Sequence, residues 1–265
     1  MGIGVTYAGP DGSALRPSTI RQLLRTALEP VGRTMYVWGG GWNREDTGAG
    51  ETARTIGVPE RWEQFFREQT AAYDFTKTRF QIEDGLDCSG YVGWVLYNLF
   101  YTENGHEGFV MAAEEMASAY ASWGWGEYTP PEEVTDYRAG DIMSKPHGHV
   151  YITLGSCEDG SVVLLHASPP GVMISGTPAK GGEGSGEDGR SGFTSQALEL
   201  ARTYMQRYYP EWYERYPQIA REAGYRTQFG RMRWNLGDTG LLSDPDGYTE
   251  LGAAEILKDL YSERP

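Results

Sequence analysis

Apolar and polar positions divide the chain into a helical first part and a strand-bearing later part. Ser18 is placed to cap a helix running to Leu28, with Ile20, Leu23, Leu24 and Ala27 on one face and Glu29-Pro30 as its stop. Pro59 opens a second helical pattern, with Trp62, Phe65, Phe66 and Gln69 at helical spacing. From Cys88 to Phe100 the residues are mostly apolar, which predicts a helix buried on most sides. Asp87 and Ser89 at its start are both N-cap types. A further helical pattern lies near Met111 to Trp123. β-Branched content and alternation then predict strands in Asp141–Leu154 and Ser161–His166. Gln196 to Tyr213 reads as an aromatic-rich helix broken at Pro210, and Asp244-Pro245-Asp246-Gly247 as a turn before a last helix with Leu251, Ile256, Leu257 and Leu260. Helices first and strands later predict an α+β fold with helices packed on an antiparallel sheet.

The intervening segments are loops by composition. Residues 1–15 are Gly-rich, 44–58 are polar, and the stretch from Gly176 to Gly192 is Gly-rich with little apolar content. In Tyr36-Val37-Trp38-Gly39-Gly40-Gly41-Trp42-Asn43, three adjacent glycines suit either a simple turn or a close backbone approach. The Asp244 turn lacks the later ligands of a calcium loop, so no calcium is expected there.

Composition narrows the partners. The 265 residues are enough for one large domain or two small ones, and 18 Tyr with 8 Trp allow a substantial core or an aromatic groove. With 23 basic against 37 acidic residues the net charge is −14, which disfavours nucleic acid or an anionic membrane as the main partner. No apolar run reaches membrane-spanning length. Two cysteines exclude a disulfide framework. Met1–Tyr7 has neither the basic start nor the apolar run of a signal peptide, which fits a cytoplasmic protein or an exported one whose signal has been removed.

The first turn of a buried helix is where a thiol does chemistry, because the helix dipole and unpaired N–H groups favour a negative sulfur. Cys88 occupies that turn and is a candidate nucleophile; a small buried hydrophobe is the other reading. The four histidines help to decide between them. Gly148–Gly155 and Ser161–His166 alternate on either side of Ser156-Cys157-Glu158-Asp159, as in a hairpin closed between Gly155 and Gly160. Symmetric pairing about that loop puts His149 directly opposite His166, with Cβ atoms roughly 4.5–5.5 Å apart, and a one-residue slip would separate them onto opposite faces. Of two such imidazoles, one can accept the thiol proton while the other fixes its tautomer. His147, beside Pro146, is the weaker base candidate, and His106 reads as a loop residue. Zinc is not expected, since Cys88, His149 and His166 lack a fourth ligand, and no cofactor is implied. Cys157 at the hairpin tip lies roughly 26 Å along the strand from His149, at about 3.3 Å per residue, too far to bridge a Cys88 that meets His149.

Three separated motifs then agree in type and order: Tyr36-Val37-Trp38-Gly39-Gly40, Asp87-Cys88-Ser89-Gly90-Tyr91-Val92, and Gly148–Gly155 followed by Leu165-His166-Ala167-Ser168. Together, with Arg138-Ala139-Gly140-Asp141 before the histidine strand, they resemble the NlpC/P60 family of cell-wall cysteine peptidases. The resemblance covers residues 16–43 and 81–175. It implies a papain-like fold with Cys88 as nucleophile, His149 as base and His166 as the orienting residue. It further implies Tyr36 beside the nucleophile, contacting the substrate or the oxyanion, and Asp87 and Ser89 shaping the substrate pocket; Tyr36, Trp38 and Trp42 themselves read as an aromatic groove that could hold a wall fragment. The substrate implied is a peptidoglycan stem peptide or muropeptide, cut between D-glutamate and the following diamino acid, which points to a secreted or wall-associated protein, or to cytoplasmic recycling. About forty residues separate the tyrosine motif from Cys88, more than is usual in the family. The chain thus reads as one catalytic domain with an insertion at 44–80 and an extension at 176–265. An amidase or acyltransferase on the same scaffold and a catalytically silent wall-fragment-binding domain are the alternative readings.

Overall fold

The computed structural model describes residues 15–42, 55–78, 81–100, 109–146, 148–182, 193–237 and 240–262. His106, His147 and Asn43 lie outside these residues, as do most of the Gly-rich segment before Phe193 and the first part of the 44–80 insertion.

In chain order the elements are β1 (Ser18–Thr19), α1 (Ile20–Leu28), β2 (Met35–Tyr36), α2 (Glu60–Glu68), β3 (Gly85–Leu86), α3 (Cys88–Phe100), α4 (Met116–Ser122) and β4 (Gly126–Thr129). Then follow β5 (Ile142–Lys145), β6 (His149–Ser156), β7 (Val162–Ser168) and β8 (Gly171–Gly176). The later part holds α5 (Gln196–Tyr208), α6 (Pro210–Arg215), α7 (Gly224–Thr227), β9 (Gly230–Trp234), β10 (Leu242–Ser243) and α8 (Ala253–Ser262). The fold is mixed α+β. Its main sheet runs β3-β2-β8-β7-β6-β5-β9-β4, antiparallel except for the β2–β3 pair.

Most of the predicted elements form, with shifts at their ends. Thr19 rather than Ser18 caps α1, its hydroxyl accepting from Gln22 N–H at 3.1 Å, because the helix begins at Ile20 and Thr19, still extended, is the residue just before it. The Met111–Trp123 pattern becomes helical only from Met116, after a turn at 113–115. Asp141–Leu154 is two strands, β5 and β6, paired antiparallel to each other. Pro210 separates α5 from α6 where the sequence predicts the break. The extension is part of the sheet: β9 lies between β5 and β4, and its Met232 joins the core.

The helix α3 is the central element. Its residues from Cys88 to Leu96 are all buried, and it packs on β6 and β7. Two backbones meet at its start. A Cβ built on Gly90 would stand 1.8 Å from the carbonyl oxygen of Gly40, so no side chain fits there. The Gly39-Gly40-Gly41 run is therefore a close approach of chain to chain, and Gly40 O also accepts from Asp87 N–H at 2.9 Å. Gly90→Ala is expected to destabilise the protein by about 3 kcal/mol or more, at or above the usual range for overpacking. Gly57→Ala, at φ +71 with open space around it, is expected to cost about 1 kcal/mol. Urea unfolding of both variants checks the difference.

Candidate active site

The thiol sits where helix, glycine loop and histidine strand converge. Asp87 ends β3's path and caps α3: its Oδ1 accepts from Gly90 N–H at 2.6 Å and from Ser89 Oγ at 2.9 Å. Its Oδ2 accepts from Gly39 N–H and from Trp42 Nε1, each at 3.1 Å. Trp42 Nε1 also reaches Ser89 Oγ at 3.1 Å. Asp87 and Ser89 are thus parts of the clamp that fixes the Cys88 turn. Burial nevertheless pushes the Asp87 carboxyl up to about 6, outweighing its four donors.

Cys88 is 7% exposed, and its Sγ lies 3.9 Å from the carbonyl oxygen of Gly148, the residue before His149. Burial, then the Asp87 charge, push the thiol up to about 12, against the backbone N–H groups of Val150, Ser89 and Cys88 itself, which favour the thiolate. The sulfur therefore rests against the backbone on both sides of His149, and its hydrogen bond goes to that backbone rather than to the imidazole.

The two histidines are in direct contact. His149 Nε2 is 2.9 Å from His166 Nδ1, with the rings edge to face at 5.2 Å. They are not directly opposite, as symmetric pairing predicts. At the hairpin tip Ser156 faces Val162 and Gly155 faces Val163, but beyond a bulge Thr153 faces Leu164 and Ile152 faces Leu165. Continuing this register places Tyr151 opposite His166 and His149 one diagonal step away. The extra residue, Leu154, matters: had the tip register continued unbroken, the two rings would project from opposite faces of the sheet. His149 is half-buried and His166 fully buried. Burial drives both below the ordinary imidazole range, His149 to about 3, and the Arg221 cation adds to the effect.

Tyr36 lies at the edge of the same region. It is 6% exposed, packs edge-on against Phe75 at 5.3 Å, and its phenol is raised by burial and then by the Cys88 charge. The described part of the insertion thus abuts the site, for Tyr73 also donates to the Tyr36 carbonyl at 2.6 Å. Trp38, 57% exposed, stands on the surface beside this loop. Cys157 is half-buried in the hairpin turn and, like Cys88, is a free cysteine.

Four residues of the site lie beyond the reach of the sequence motifs. Arg221 Nε is 3.1 Å from His166 Nε2, and Ser175 Oγ on β8 is 3.0 Å from the same nitrogen. Tyr225 on α7 stands edge-on to both histidines, and Phe229 edge-on to His149. Three of the four come from the extension, in a stretch for which the sequence offers no motif. Among the described residues no three His, Cys, Asp or Glu side chains group as metal ligands would. Among them, too, no helix is long and apolar enough to cross a membrane.

No family model, curated protein or solved structure matches this chain.

The Asp87 environment gives a pH signature. Its folded value of about 6 lies above the roughly 3.9 of an unfolded aspartate. Between those values the folded state holds a proton that the unfolded state has lost, so this group's contribution to stability falls as pH rises through the window. Carboxyl carbon NMR is expected to give Asp87 a midpoint near 6, and Asp87→Asn to remove its share of the stability slope. A midpoint near 4 would contradict this account of the clamp.

Proposed function

We infer that this chain is a cysteine peptidase with a papain-like, NlpC/P60-type catalytic centre, acting on peptidoglycan stem peptides. One observation carries the reading: a cysteine in the first turn of a buried helix, its sulfur 3.9 Å from the backbone next to His149, whose ring is hydrogen-bonded to His166. This is the set of parts that thiol acyl transfer needs, a nucleophile, a base and a group that orients the base.

In the proposed reaction the Cys88 proton passes to His149 and the sulfur attacks the scissile carbonyl. The C–N bond then breaks as His149 returns the proton to the leaving amine, leaving a thioester on Cys88. Water, deprotonated by His149, releases the acid and restores the thiol. The Cys88 N–H and the Tyr36 hydroxyl are the proposed oxyanion donors, each worth on the order of 3 kcal/mol. Trp38, exposed beside the glycine loop, offers an aromatic face to a muropeptide. The D-glutamyl to diamino-acid bond is the proposed cleavage site, taken from the family resemblance.

A binding-only domain is the second reading, and one observation favours it: the resting thiol is nearly enclosed and pushed up to about 12. Product analysis of stem tetrapeptides by mass spectrometry separates the two. The peptidase reading expects cleavage that Cys88→Ala abolishes, that His149→Ala lowers by about 10²–10⁴-fold, and that Tyr36→Phe lowers by about 10²–10³-fold. No cleavage by the unaltered protein, or unchanged cleavage by Cys88→Ala, would overturn it; amide or acyl-transfer products would assign the same thiol to the amidase or acyltransferase reading.

A further inference from the structure

Both ring nitrogens of His166 are engaged, and their partners differ in kind. Nδ1 faces His149 Nε2 at 2.9 Å; Nε2 faces Arg221 Nε at 3.1 Å and Ser175 Oγ at 3.0 Å. A serine hydroxyl donates or accepts, whereas a guanidinium only donates and keeps its protons throughout the range in which proteins work. The Arg221 contact therefore requires a lone pair on His166 Nε2. A neutral imidazole with that lone pair carries its proton on Nδ1, directed at His149 Nε2. His149 Nε2 must then accept, and a neutral His149 carries its own proton on Nδ1, its outer nitrogen. The donors run outward in one direction, from Arg221 through His166 to His149.

A general base needs the reverse. Its outer nitrogen must hold the lone pair, His149 Nε2 must donate to His166 Nδ1, and His166 Nε2–H must find an acceptor. Ser175 Oγ can accept that proton; Arg221 cannot. The guanidinium is itself well held in the opposing position. The Arg221 main-chain N–H donates to Gly176 O at 2.9 Å, and the guanidinium Nη1 and Nη2 donate to Ala220 O at 2.8 Å and to Met173 Sδ at 3.1 Å. Ser175 and Met173 share the His166 face because Met173 pairs with His166 across β7 and β8.

We propose that Arg221 is a positioning residue that holds the histidine pair in a resting tautomer, with His149 presenting an N–H outward, and that Ser175 is the partner to which His166 Nε2–H turns in the working arrangement. The proposal rests on the reading of Cys88 and His149 as nucleophile and base. Each ring carries one proton in both arrangements. In passing from the first to the second, His149 Nδ1 releases a proton to water and the His166 Nδ1 proton crosses to His149 Nε2. Ser175 Oγ then gives its proton to His166 Nε2 and regains one from water.

Long-range ¹⁵N–¹H correlation NMR of the histidine rings at neutral pH tests this on the whole protein, with His149→Gln and His166→Gln for assignment. The unaltered protein is expected to show both rings protonated on Nδ1. Arg221→Met is expected to move both protons to Nε2, while Arg221→Lys, which keeps a donor, retains the resting form. Ser175→Ala is expected to leave the resting tautomers in place and to lower peptide hydrolysis about tenfold or more, since each factor of ten needs only about 1.4 kcal/mol. A proton on His166 Nε2 in the unaltered protein overturns the proposal, whether or not any variant folds; so does a folded Arg221→Met with unchanged tautomers, or a Ser175→Ala that hydrolyses normally. The expected spectra without any hydrolysis would retire the peptidase reading and leave the tautomer assignment standing. Hydrolysis with the opposite spectra would do the reverse.

Discussion

The Asp87 carboxylate ties together two segments that are far apart in the chain. It receives donors from the glycine loop, through Gly39 and Trp42, and from the first turn of α3, through Ser89 and Gly90. Gly40 and Gly90 meet so closely beside it that neither position has room for a side chain. The position of the Cys88 sulfur follows from this clamp. A carboxylate with four donors is also an expensive thing to bury, and its raised pKa records that cost.

The second constraint is the pleat of the β6–β7 hairpin. The sequence made the pairing of His149 with His166 legible because alternation and loop length together specify a face. It did not make the register legible. The bulge at Leu154 leaves no mark in the pattern of apolar residues, since Leu154 is buried like its neighbours. Symmetric pairing reached the right contact through the wrong register, because the observed register, two residues away, keeps the same parity.

Helix α3, the Pro210 break and the insertion helix α2 were legible for a simpler reason: each is encoded by residues adjacent in sequence. Arg221, Ser175, Tyr225 and Phe229 were not. Arg221 lies 55 positions from the histidine that it contacts, and no spacing rule links them. Only the threading of β9 into the main sheet brings the segment before it, with α7, against the histidines. The site is thus built by two kinds of information, a local one that places the thiol and a topological one that surrounds the imidazoles.

The central claim is that Cys88 becomes a nucleophile through His149. The most direct measurement is the rate of Cys88 alkylation by iodoacetamide at neutral pH, in a Cys157→Ser background, with and without His149→Ala. A buried thiol held in its neutral form alkylates slowly at that pH unless a base takes its proton, so the account predicts measurable alkylation that is lost in His149→Ala. Alkylation that proceeds equally without His149, or that is absent in both proteins, would contradict it.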